Sequence, residues 1–238
     1  MDKLRLVLVG IEGAVNLGMI ARLCENFQVD ELYIVSPKAD FEEAREYAVR
    51  AAHRLDEAVV VGSLDEALRG SSLSLCTSAK ASHRDALRVP LHPKRAAEIA
   101  ARTEGVVALV MGRESVGLTR EELEQCDLLV NIPTSPRYQA LNLANATAIL
   151  LYEFFQARLE PVSRKHESKY VRLIEKYVEE LASILVTDPR RRKEVIVSIR
   201  RLAARNIEYE KDLRSLLYLL SRACNLIEGC GSEAATEM

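Results

Sequence analysis

The chain has no tryptophan and only 5% aromatic residues, which leaves little material for recognition by aromatic stacking. Long hydrophobic runs are missing too. The longest uncharged apolar stretches, Val106 to Gly112 and Leu216 to Leu220, fall far short of a membrane span. Met1-Asp2-Lys3 leads into a strand-like run without a signal-peptide cleavage pattern, so a cytoplasmic address is expected. The five cysteines, Cys24, Cys76, Cys126, Cys224 and Cys230, form no Cys-x-x-Cys and sit in apolar or helical settings. No disulfide and no zinc site are therefore expected. His53, His83, His92 and His166 lack paired metal spacing, so solvent-facing or packing roles are expected, with no metal. No Gly-Lys-Ser/Thr occurs, which excludes a Walker loop.

What is present is 238 residues, 48% hydrophobic and 29% charged, with the apolar residues spread along the whole length. That is enough for one full core and a smaller appendage. Six β-branched or Leu-rich runs alternate with helical patterns: Leu4 to Val9, Leu32 to Val35, Ala58 to Val61, Ser72 to Thr77, Val106 to Met111 and Leu128 to Ile132. The alternation predicts an α/β domain with a largely parallel sheet over residues 1–158. Ser63 to Glu66 and Thr119 to Glu122 have the form of capping boxes, and Pro93 suits a first helical position. A polar linker is expected over 159–169. Val171, Ile174, Val178, Leu181 and Leu185 then open an all-helical pattern, Asp188-Pro189 reads as N-cap and N1, and about three helices are expected over 170–230. Residues 231–238 are expected to be a disordered tail.

In an open parallel sheet, ligands bind beyond the carboxyl ends of the strands. The turns there read Gly10 to Gly18 leading to Arg22, Thr77 to Lys80, Gly112 to Leu118, and Pro133 to Tyr138 running into Leu141 to Asn145. Glycines at 10, 13 and 18 do not make Gly-x-Gly-x-x-Gly, and the second strand ends in Ser36-Pro37 without an acidic residue for a ribose, so NAD binding is disfavoured.

Three segments in order, Asn16-x-Gly18-x-x-Ala21-Arg22, Gly112-Arg113-Glu114-x-x-Gly117-Leu118, and Ile132-Pro133-Thr134 followed by Leu141-Asn142-Leu143-Ala144, resemble the three motifs of the SPOUT RNA 2'-O-ribose methyltransferases. Thr77-Ser78-Ala79-Lys80 and the helical extension narrow the resemblance to the TrmJ-like tRNA methyltransferases. The resemblance implies a SPOUT-type parallel sheet with a C-terminal trefoil knot, a homodimer and the cofactor S-adenosylmethionine (SAM). It carries cofactor binding to Thr77, Ser78, Ala79, Gly112, Ile132, Gln139, Ala140 and Leu141. It implies 2'-O-methylation of tRNA, at position 32 of the anticodon loop, on cytidine with uridine as a second candidate.

Arg22 matches the family's essential arginine. A guanidinium is a poor proton acceptor, so clamping RNA phosphate and stabilising a developing alkoxide suit it better than base catalysis. Asn16 is expected to fix its loop by bonds to backbone or to cap the following helix. Glu114 is expected to orient Arg22 or the loop rather than act as a base, and Gly117 to serve a tight turn. One departure is Ala140, where the family commonly has serine; the alternative it opens is a catalytically weak or silent RNA-binding dimer. Residues 161–238 carry 15 Lys and Arg against 12 Asp and Glu, and the basic residues cluster at Arg190, Arg191, Arg192, Lys193, Arg200, Arg201 and Arg205. These are candidate phosphate contacts, with Tyr138 a candidate for touching a splayed loop nucleotide.

Overall fold

The computed structural model describes residues 1–79, 90–159, 169–205, 210–227 and 230. Lys80, His83, His166, residues 160–168 of the expected linker, the 231–238 tail and the side chain of Arg205 lie outside the described residues.

All six strand-like runs form strands: β1 (Lys3–Val9), β2 (Glu31–Val35), β3 (Val59–Val61), β4 (Ser71–Thr77), β5 (Val106–Met111) and β6 (Leu128–Val130). They make one sheet in the order β3-β2-β1-β5-β4-β6. Every pairing is parallel. The central strand β5 reads as an unbroken apolar run because both its faces are covered, and the twofold alternation of side chains sorts residues between the two faces of the sheet. Leu4, Leu6 and Leu8 of β1 join one core with α1 (Ala14–Asn26), α5 (Pro93–Arg102) and α7 (Leu143–Leu159). Val7 and Val9 join the other, with α4 (Leu64–Leu68) and α6 (Arg120–Glu124).

Arg5, mid-strand and buried, is satisfied in full. It bonds the carbonyls of Ala67 and Arg69 at 2.7 and 2.9 Å and Glu31 at 2.7 Å, and lies 4.2 Å from the centre of the Tyr33 ring. Between β2 and β3 run α2 (Phe41–Ala48), a 3-10 turn (Val49–Ala51) and α3 (His53–Asp56). Gly18 lets α2 lie close on α1, since a Cβ there would stand 2.4 Å from the Ala44 carbonyl.

Local punctuation follows the sequence. Thr119 and Glu122 form a complete capping box, Ser63 accepts from the Glu66 amide, and Pro93 opens α5 behind His92. Three C-terminal helices, α8 (Lys169–Leu185), α9 (Pro189–Arg205) and α10 (Glu210–Asn225), share a separate core around Ile174, Tyr177, Leu181, Leu213 and Leu217.

The cysteines correct an expectation. Cys76 is paired with Cys126 and Cys224 with Cys230, both as disulfides. Only Cys24 is free, buried in the core, and burial pushes its thiol up to about 12. The first pair is made by tertiary approach across 50 positions, with Cys76 on β4 and Cys126 just before the adjacent β6, so sequence spacing carried no sign of it. The second joins residues six positions apart, without the Cys-x-x-Cys spacing that was sought.

Candidate active site

The chain leaves β1 toward the face that carries α1 and leaves the adjacent β5 toward the face that carries α6. This divergence opens a crevice at the carboxyl ends of the strands. A cavity of about 510 Å3 lies there, walled by the segments that follow β4, β5 and β6 and by the start of α1. That volume suits a small-molecule ligand, for which sites run roughly 300–1,000 Å3. Thr77, Ser78, Ala79, Gly112, Ile132, Gln139, Ala140 and Leu141 all line it, as do Asn16 and Glu114. Met111, Val130, Leu143 and Leu150 add apolar wall. The charged groups in the wall, Arg113 and Glu114, are bonded to neighbouring turns, and the other polar groups are main chain, hydroxyls and amides, a set that fits an adenosine moiety.

The Gly112–Leu118 turn is shaped by two glycines with different duties. A Cβ on Gly112 would stand 2.4 Å from the Gly117 carbonyl carbon and 2.5 Å from the Leu118 nitrogen, so the loop folds back onto this position. Gly117 has open space around it but a φ of +71°, which L side chains rarely adopt. Arg113 closes the turn. Its amide and carbonyl bond those of Gly117, and its guanidinium makes two parallel bonds of 2.9 Å to Glu122. Burial works against the Glu122 carboxylate, but the Arg113 and Thr119 hydrogen bonds outweigh it and hold it below its ordinary value.

Glu114 does not stand free as a base. Its carboxylate accepts from the amides of Glu12 (2.9 Å) and Gly13 (3.1 Å) and from Asn16 Nδ2 (3.0 Å), tying the β5 turn to the β1 turn. Glu12 answers in kind, accepting from the amide and hydroxyl of Ser115. Hydrogen bonding from the Ser115 hydroxyl lowers the pKa of Glu12. Asn16 is neither a helix cap nor a backbone clamp, which corrects both readings of it: Gly13 is the N-cap of α1, and the Asn16 amide spans Glu114 and Asn142.

Arg22 lies outside the cavity wall, exposed on α1, with no hydrogen bond or ion pair among the described residues. It follows Val15 and Met19 at helical spacing, and these two are 43% and 39% exposed. Tyr138 is 79% exposed beside the cavity.

The basic cluster divides. Arg190 is exposed and unpaired among the described residues, Arg191 is exposed and pairs with Glu194, and Arg192 bonds the Val186 carbonyl. Lys193 pairs with Glu124. Arg200 and Arg201 do not face solvent, a correction to their expected role. Arg201 is 3% exposed and donates to the Leu123 carbonyl, and Arg200 bonds the carbonyls of Glu124 and Cys126. Helical spacing placed all of them on one short stretch, but α9 turns two of them inward against α6.

Arg113 and Asn142, both inside the quoted motifs, are site residues that the sequence reading passed over. Their signal was a charged or amide side chain at a turn with no assigned task. Among the described residues, Glu180, Cys224 and Cys230 bring ligand-type atoms within 4.8 Å of one another, but the two sulfurs are bonded to each other. No helix among the described residues is long and apolar enough to cross a membrane.

The profile of the SpoU rRNA methylase family matches residues 3–152. The tRNA (cytidine-2'-O-)-methyltransferase TrmJ of Sulfolobus acidocaldarius is 35% identical over 221 residues, covering 92% of each chain. The tRNA (cytidine/uridine-2'-O-)-methyltransferase TrmJ of Pectobacterium atrosepticum is 34% identical over 236 residues, 93% of this chain and 96% of that one. A solved structure, a probable methylase family protein from Haemophilus influenzae Rd KW20, superposes with a TM-score of 0.67 at 28% identity, covering 94% of this chain and 98% of that chain.

Proposed function

The chain belongs to the SpoU rRNA methylase family, and from that premise we propose that it is a SAM-dependent tRNA 2'-O-ribose methyltransferase acting at position 32 of the anticodon loop, on cytidine with uridine as a second candidate. The observation that carries the reading is the cavity itself: all eight residues matched to the family's cofactor set converge on it from three separate turns. When bound, SAM supplies an electrophilic methyl group on its sulfonium.

The chain's own residues bind and position. Ile132 and Leu141 offer apolar walls for an adenine, and the main chain around Gly112 and Gln139 to Leu141 offers hydrogen bonds. Ala140 keeps that main chain while lacking a hydroxyl, so activation of the ribose falls to other groups. Arg22 is unpaired and permanently charged, suited to hold an RNA phosphate and to stabilise negative charge on the 2'-oxygen. Glu114 and Asn16 hold the turn from which α1, and with it Arg22, departs.

The catalytic unit in this reading is 1–158, its C-terminal segment threaded as a trefoil knot. It pairs with a second copy through the exposed Val15 and Met19 of α1 and Ile149 and Tyr152 of α7, two helices that pack against each other and both line the cavity. The helices of 170–230 contribute tRNA contacts through Arg190 and Arg191, with Tyr138 touching the loop. Incubation with labelled SAM and unmodified tRNA, followed by mass-spectrometric mapping of the ribose, tests this. Methyl on the 2'-oxygen of nucleotide 32 is expected. Label on a base, or only on ribosomal RNA, overturns the substrate assignment, and no turnover above a SAM-free control leaves the silent RNA binder.

A further inference from the structure

The short helix α6 is held at both ends by arginines from different parts of the chain. At its start, Arg113 of the cavity wall grips Glu122, whose carboxylate also accepts from the Thr119 amide at 2.8 Å. At its end, carbonyls of the last turn and of the segment that follows it face α9, where a helix needs outside partners. Arg201 Nη2 donates to the Leu123 carbonyl at 3.2 Å, and Arg200 Nη2 donates to those of Glu124 at 2.6 Å and Cys126 at 3.0 Å. Lys193 pairs with the Glu124 carboxylate. A helix of five residues does not hold itself together in water, and here its C-terminal cap comes from the helical extension.

The same turn is fastened to β4. Asp127 faces Arg200 at 3.6 Å through one carboxylate oxygen, and its other oxygen accepts from the amide and hydroxyl of Ser74 at 2.8 and 2.7 Å. Cys126 is disulfide-bonded to Cys76, the residue before Thr77, Ser78 and Ala79 of the cavity wall. Arg200 is thus the junction of two routes into the cavity, one through α6 to Arg113 and one through β4 to Thr77. Glu175 of α8 completes its surroundings at 3.2 Å, and burial raises the pKa of that carboxyl. A largely covered guanidinium with this many partners fixes the position of each of them.

We propose that Arg200 is a positioning residue for the cofactor cavity, so that the C-terminal helices set SAM affinity as well as meeting RNA. The inference rests on reading the cavity as the SAM site.

The test uses full-length protein without tRNA, measuring SAM binding by calorimetry well below the melting temperature of each variant. Arg200→Met should weaken SAM binding at least tenfold. Arg200→Lys, which keeps the charge but loses the fork, should weaken it at least threefold and serves if the methionine variant does not fold. Lys211→Ala, exposed on α10, should leave SAM binding unchanged. In wild-type protein, saturating SAM should slow amide exchange at Leu123 to Asp127. A folded Arg200 variant that binds SAM within twofold of wild type, whatever its melting temperature, overturns the proposal, as does unchanged exchange at Leu123 to Asp127. If the wild-type protein binds no SAM, it is the reading of the cavity that fails.

Discussion

Asn142 donates from Nδ2 to Asn16 Oδ1 at 2.8 Å across 126 positions of sequence. The bond joins the first turn of α1 to the start of α7. Asn142 Oδ1 accepts from the Asn145 amide at 3.2 Å, so one side chain caps α7 and bridges to α1. Because Glu114 holds Asn16 from the other side, three separate turns are locked around one amide.

The two duties of Asn142 can be separated. Asn142→Ala should lose both and cost about 1 kcal/mol through the cap alone. Asn142→Asp keeps a capping oxygen but sets an acceptor against Asn16 Oδ1, so thermal stability should stay near wild type while SAM affinity falls. Equal losses of SAM affinity and stability in both variants would refute the separation.

Arg22→Ala should reduce methyl transfer about a hundredfold or more, the scale of losing one charge-stabilising donor, and leave SAM affinity near wild type because Arg22 does not line the cavity. Single-turnover rates and calorimetry check the two halves independently. Near-normal transfer would remove Arg22 from the reaction.

Gly112→Ala and Gly117→Ala should differ sharply. The first drives a methyl into the Gly117 backbone at 2.4 Å, so the turn must open and SAM binding should be lost. The second meets open space and bears only the left-handed conformation, about 1–2 kcal/mol. Melting temperatures and SAM titrations of both variants decide it.

Acid should weaken the Arg113–Glu122 clamp. The folded Glu122 carboxyl titrates below its ordinary 4.5, so its contribution is fully present above that value and is lost as pH falls through the folded value. Glu122→Gln should therefore be less stable than wild type at neutral pH, with the gap narrowing below about pH 4.5. Thermal melts from neutral to acid pH measure the gap, and a constant gap would show that the clamp contributes no linked protonation.

Phosphate contacts by Arg190 and Arg191 should show in salt dependence. The double alanine variant should bind tRNA more weakly, and the slope of log affinity against log salt should shrink by roughly 1.4 to 1.8, since each lost contact releases fewer counterions. An unchanged slope would remove this end of α9 from the RNA interface.

The strands were legible residue by residue. Val106 to Met111 is apolar throughout, and Leu4 to Val9 is apolar but for Arg5, because a parallel sheet buried on both faces demands it, and Thr119 to Glu122 announces its helix because capping is a local interaction. The turns that wall the cavity were legible for a related reason: a backbone that must approach itself closely restricts residue type in short, ordered stretches such as Gly112 to Leu118. Partnership was not legible. Whether Arg200 meets RNA or the Glu124 carbonyl, whether Cys76 is a small apolar filler or half of a disulfide, and whether Asn16 caps a helix or reaches Asn142 depend on which elements the sheet order sets side by side. An arginine, a cysteine or an asparagine has the same composition and spacing in either role. The environment that separates the roles, solvent or a buried carbonyl, exists only once distant segments have packed.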